Sequence, residues 1–142
     1  MTISPYLIAI IAGWFVSQGT KYIIAAIKAQ SLDVFRMLYL SGNMPSAHSA
    51  TVVSVTTIIA LRDGIDSSIF GLAVAMSLVI IYDAMMVRRS VGEQGKALTQ
   101  LINLSKTKVI KPRVAKGHTP LEVLVGIAIG VLSGIVVFYA TR

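Results

Sequence analysis

Four apolar runs, at 3–27, 50–61, 67–87 and 121–140, set the first limit on what this chain can fold into. Crossing the roughly 30 Å hydrocarbon core of a bilayer takes about 20 residues of helix, so three of the runs are long enough and the second is short. The short run reaches about 17 residues if helix begins at Pro45, roughly 25 Å at 1.5 Å per residue, and that length suits a helix packed inside a bundle. Composition agrees: of 142 residues, 55% are hydrophobic and 13% charged, with a mean hydropathy of +0.77, far from the balance of a soluble domain. The first run has no basic segment ahead of it and carries Gln18 and Lys21 where a cleavage site needs small residues, so it reads as a retained helix rather than a signal peptide. The expected fold is all-α, an integral membrane helix bundle with about four transmembrane helices plus an interfacial amphipathic helix. It forms a single membrane domain over residues 1–142.

Four crossings sort the basic residues onto two faces. Arg62 and Arg142 fall on one; Lys21, Lys28, Arg36, Arg88, Arg89, Lys96, Lys106, Lys108, Lys111, Arg113 and Lys116 fall on the other. Cytoplasmic loops carry the Lys and Arg excess, so eleven against two predicts a multi-pass protein whose second face is cytoplasmic. The net charge of +7 is therefore read as membrane topology, with membrane lipids as its surroundings and no nucleic-acid partner. The segment 91–104 has apolar residues at 91, 97, 98, 101, 102 and 104 with charge at Glu93 and Lys96, a spacing that predicts the amphipathic helix at the surface. Gly126, Gly130 and Gly134 recur every fourth residue, which suits close helix packing within the bundle or in a homodimer.

Both histidines lie on the basic face, each at the start of a helix. GNMPSAHSATV, residues 42–52, places His48 just after Pro45 and Ser46. In KGHTPLEVLVG, residues 116–126, Thr119 at N-cap, Pro120 at N1 and Glu122 at N3 predict a capping box, with His118 immediately before it. Helix N-termini present unpaired N–H groups and a partial positive charge, which suits an anion such as phosphate. A neutral imidazole is a competent nucleophile near pH 7 when a carboxylate fixes its tautomer, and a second imidazole can serve as acid and base. The chain has no cysteine, and two histidines with six carboxylates predict no metal site and no cofactor.

These residues resemble a known family. "PSAHSA" is similar to the Pro-Ser-Gly-His motif of the type 2 phosphatidic acid phosphatases and vanadium-dependent haloperoxidases, and "HTPLEVLVG" to their third motif. With "YDAMMVRR" and "GEQGKAL", the chain resembles most closely the small divergent branch of acid phosphatase/vanadium-dependent haloperoxidase-related membrane proteins. The resemblance implies a nucleophilic His118, Glu122 in place of the family aspartate that orients it, and His48 as the acid and base. It also implies that Ser46 and the N–H groups near Ala47 and His48 hold phosphoryl oxygens. Lys21 and Lys28 stand where the family has a lysine and a later arginine-proline pair. Arg113 has four residues before His118 where the family arginine has five, and Ala47 replaces glycine. Arg88 and Arg89 emerge on the same face and are expected to supply the missing clamp. Asp83, one turn from the end of an apolar helix, is expected either in the site or in a salt bridge to Lys21 or Arg88.

The implied activity is phosphatase action on a phosphorylated lipid, an isoprenoid or glycerolipid phosphate, through a phosphohistidine. Two other functions fit the same residues. One is a non-catalytic protein that binds a lipid headgroup or partner through the anion pocket; the other, more distant, is vanadate-dependent halide oxidation.

Overall fold

The computed structural model describes residues 3–27, 44–105, 109–112, 114 and 117–142. All regular structure among them is helical: α1 (Pro5–Ile27), α2 (Ala47–Asp63), α3 (Ser68–Tyr82), a π-helical turn (Asp83–Val87), α4 (Arg88–Ser105) and α5 (Pro120–Ala140). Three helices are long and apolar enough to cross a membrane: α1, the continuous 38-residue helix Ser68–Ser105, and α5. The fourth, α2, has 17 residues and lies among α1, α3 and α5, as its length predicts.

The bundle is organised around α2. Ser46 caps its start by accepting from the Ser49 N–H, and Gly64 ends it at a positive φ of 87°, a conformation that costs glycine little. A short turn then leads to Ser67, the N-cap of α3. Towards α1, the buried Ser54 hydroxyl donates to the Ala9 carbonyl at 2.8 Å. Towards α3, the Thr56 and Ser77 hydroxyls pair at 2.9 Å. Towards α5 the contact is made by glycine: a Cβ on Gly126, Gly130 or Gly134 would come within 2.6 Å of Ser46 O, 2.7 Å of Ala50 O and 2.7 Å of Ser54 O respectively. Lipid tails are as apolar as leucine, so helices in a bilayer associate through such close packing and interhelical hydrogen bonds. The glycine series is therefore used inside the bundle rather than on an outer face. The large apolar side chains Leu7, Phe15, Leu72, Val79, Leu124 and Val136 point outward and are exposed, where lipid would cover them.

Gly130→Ala is expected to lower the thermal midpoint in detergent, by a destabilisation of about 1–3 kcal/mol typical of overpacking, because backbone atoms and Val53 Cβ surround the new methyl. A methyl added at Gly71 would meet nothing within 4 Å, so Gly71→Ala should leave the midpoint unchanged or raise it slightly. Equal midpoints for the two variants would contradict this packing.

The glycine contacts also fix direction. Steps of four along α5 meet steps of four along α2 in the same order, so the two helices run parallel and begin at the same end of the bundle. Ala9 and Gly13 of α1 meet Ser54 and Ala50 of α2; α1 therefore finishes near where α2 and α5 start. The opposite end holds an apolar cluster of Ala9, Ile58 and Val137. It is stapled by the Tyr6 hydroxyl donating to the Asp63 carboxylate and by Arg62 donating to Thr141.

The amphipathic segment forms α4 and is continuous with α3. Together they make 38 residues of helix, about 57 Å, far more than a membrane core. No proline or glycine interrupts residues 83–91, so nothing ends the helix; a single wide turn, closed by the Arg88 N–H donating to the Asp83 carbonyl, joins the two parts.

Candidate functional site

The starts of α2 and α5 touch directly. The Ser46 N–H donates to the Glu122 backbone carbonyl at 3.0 Å, which locks the two N-termini side by side. Each carries the equivalent of about half a positive charge, and two like ends together are unfavourable unless a negative group faces them. The Ala47, His48 and Leu121 N–H groups have no intrahelical acceptor at these positions. Those of Ser49, Thr119 and Glu122 are taken by the caps.

His118 sits at this junction, 4% exposed. Its backbone N–H donates to the Ala84 carbonyl in the π-helical turn at 3.0 Å. Its Nδ1 lies 3.1 Å from Glu122 Oε2, and the same oxygen accepts the Thr119 N–H at 3.0 Å. Glu122 therefore closes the expected capping box and also holds the ring. With Nδ1–H donating to the carboxylate, the Nε2 lone pair is free to attack or to accept. Burial is the largest influence on this imidazole and pushes its pKa below the ordinary value, against the opposing pull of Glu122. Burial therefore favours the neutral form of the ring. Glu122→Gln removes the opposing charge, so the His118 titration midpoint, followed by NMR of its ring protons, is expected to fall further; a rise would contradict this balance.

Gly117 permits the approach. A Cβ there would lie 2.6 Å from Arg89 N and 2.7 Å from Arg89 Cα, so the chain before His118 passes directly over the first turn of α4. His48, in the first turn of α2, is an exposed residue within electrostatic reach of Arg88, His118, Lys21 and Asp83. Lys21 is buried, 8% exposed, within electrostatic reach of Glu122. Arg88 donates from Nε to Asp83 Oδ2 at 2.7 Å across the π-helical turn, which settles Asp83 in a salt bridge at the edge of the group.

His118, Glu122, His48, Lys21, Arg88 and Asp83 are thus brought together, with Ser46 and Ala47 buried beneath them. Arg89 is not. Its guanidinium turns away to Glu93 at 3.2 Å, an exposed i, i+4 pair, and only its backbone takes part. Lys28 and Arg113 lie outside the described residues. The Ser46 hydroxyl is already engaged, accepting from the Ser49 N–H and from the Ser49 hydroxyl at 2.9 Å. Sequence reasoning missed Ser49, Gly117 and the Ala84 carbonyl. Of these only Gly117, adjacent to a singled-out histidine, carried any signal.

This assembly of a neutral buried imidazole, its carboxylate, a second imidazole and several cationic groups is suited to binding a tetrahedral oxyanion. Among known proteins, residues 3–133 match the family described as the divergent PAP2 family. The chain is 31% identical over 148 aligned residues to a protein of Bacillus subtilis (strain 168) described as "Uncharacterized membrane protein YuiD", with 94% of this chain and 93% of that one covered. No solved structure matches.

Proposed function

The chain belongs to the divergent PAP2 family, and from that premise we propose that it is an integral membrane phosphatase acting on a phosphorylated lipid through a phosphohistidine. The observation that carries this reading is the pair of parallel, hydrogen-bonded helix N-termini with the His118–Glu122 pair between them. Metal-independent attack needs a neutral nucleophile, a fixed tautomer and preorganised positive charge, and these residues offer all three.

In the proposed reaction His118 Nε2 attacks phosphorus and forms the P–N bond as the bond to the lipid oxygen breaks. His48 gives its proton to that oxygen, releasing the lipid alcohol, or the lipid monophosphate if the substrate is a diphosphate. The His118 ring becomes cationic in the intermediate, and Glu122 stabilises it. His48, now neutral, takes a proton from water; the resulting hydroxide attacks phosphorus, the P–N bond breaks and phosphate leaves. Lys21, Arg88 and the first-turn N–H groups of Ala47, His48 and Leu121 hold charge on the non-bridging oxygens. The lipid substrate, an isoprenoid or glycerolipid phosphate, follows from a site built where membrane helices begin. The distribution of Lys and Arg supports a cytoplasmic face for that site.

A second reading is favoured by one observation: Arg88 is already paired with Asp83 and Arg89 with Glu93, so neither guanidinium stands free to clamp a transferring phosphoryl group. On that reading the pocket binds a phosphorylated headgroup without turnover. Purified protein in mixed lipid vesicles, offered phosphatidate, isoprenyl phosphate and isoprenyl diphosphate, separates the two. Inorganic phosphate release above the protein-free rate supports the phosphatase; saturable binding of all three with no release supports the binder.

A further inference from the structure

Ser17 is fully buried in α1, and its hydroxyl has no hydrogen-bond partner among the described residues. An acceptor lies close by in sequence terms. Thr20, Thr51, Thr56, Thr57 and Thr99 all donate to the carbonyl four residues earlier, at 2.7–2.8 Å, whereas Ser17 makes no such bond to Gly13. Its hydroxyl is therefore not absorbed by its own helix. A buried hydroxyl left unpaired is destabilising, so a serine at this position in the centre of a small bundle points to a role other than packing.

The register of α1 shows where that partner belongs. The buried residues Ala9, Gly13, Ser17, Lys21 and Ala25 form one stripe at steps of four. Gly13 meets the Ala50 carbonyl and Ser54 Cβ. Ser17, about 6 Å further along, comes level with the Ser46–Ser49 hydroxyl pair and with Gly126, which packs on that pair. Lys21, one turn on again, reaches the layer of Glu122 and the two histidines. Ser17 thus lies directly under the converging helix N-termini, on the Lys21 side.

We propose that Ser17 is a substrate-binding residue whose hydroxyl donates to a non-bridging oxygen of the bound phosphoryl group, forming with Lys21 the deep wall of the anion pocket. This rests on the phosphoryl site proposed above. It adds a neutral donor to the cationic groups proposed to hold the phosphoryl oxygens.

The test is calorimetric binding of inorganic phosphate and of orthovanadate to the full chain in detergent, for wild type, Ser17→Ala and Lys21→Met, with thermal midpoints measured without anion. Ser17→Ala is expected to weaken both anions roughly tenfold or more, as for a lost hydrogen bond to a charged group. Its anion-free midpoint should equal or exceed that of wild type, because an unpaired donor has been removed. Unchanged affinity in Ser17→Ala together with loss of binding in Lys21→Met would overturn the Ser17 assignment and leave the phosphoryl site standing. A lowered midpoint with unchanged affinity would mark the hydroxyl as structural and also overturn the assignment. Absence of binding in wild type would overturn the phosphoryl site itself.

Discussion

His118→Ala is expected to reduce phosphate release to the protein-free rate, a loss of at least roughly 10³-fold, because it removes the imidazole that Glu122 orients for attack. The ring is buried and bonded to Glu122 through Nδ1, so alanine also leaves a small void and removes one of the two hydrogen bonds to Glu122 Oε2. His118→Gln controls for both effects: its amide can still donate towards Glu122 and fills part of the space, yet it cannot carry phosphate. Both variants should be inactive, while the glutamine variant keeps a thermal midpoint closer to wild type. Release by either variant at more than a few per cent of the wild-type rate, the fraction set by assay background, would remove His118 as the nucleophile.

His48→Ala is expected to slow release from an alkyl phosphate by about 10²–10⁴-fold, the usual contribution of a positioned acid or base. Its signature is the dependence on the leaving group. An alkoxide leaves poorly without a proton, whereas a nitrophenolate leaves readily as the anion. The first half-reaction of His48→Ala should therefore approach the wild-type rate with an aryl phosphate, while the second, which needs an activated water, stays slow. A burst of nitrophenol followed by a slow steady state is the expected trace. An equal loss with both substrates, and no burst, would make His48 a binding residue rather than the acid and base. His48 is an exposed residue in the first turn of α2, so the fold is expected to tolerate this substitution.

Much of this arrangement was legible in the chain. The apolar runs gave the helices nearly to their ends, because length and hydropathy decide membrane helices more directly than local propensity does. Thr119, Pro120 and Glu122 announced the start of α5, and the step of four from His118 to Glu122 placed carboxylate and ring together. Other features depend on how distant helices meet. Nothing local in Asp83–Val87 distinguishes a π-helical turn from an α-helical one, so the continuity of α3 with α4 and the five-residue spacing of the Asp83–Arg88 pair were hidden. Arg88 and Arg89 are adjacent and equivalent in sequence. Only the phase of the helix sends one to the histidines and the other to Glu93. The glycine series predicted close packing without naming a partner, and the partner is the parallel α2. Ser17 looked like any serine of an apolar helix, since its significance lies in a hydrogen bond it does not make.

The central claim is covalent capture of phosphate on His118, and trapping that intermediate tests it most directly. Wild type and His48→Ala would be mixed with a radiolabelled aryl phosphate, quenched in alkali and digested. The label is expected on the peptide containing His118 in both, stable to base and lost in acid as a phosphoramidate is, with more retained by His48→Ala and none by His118→Gln. Sustained phosphate release with no labelled protein in His48→Ala, or label on a peptide without His118, would contradict the account.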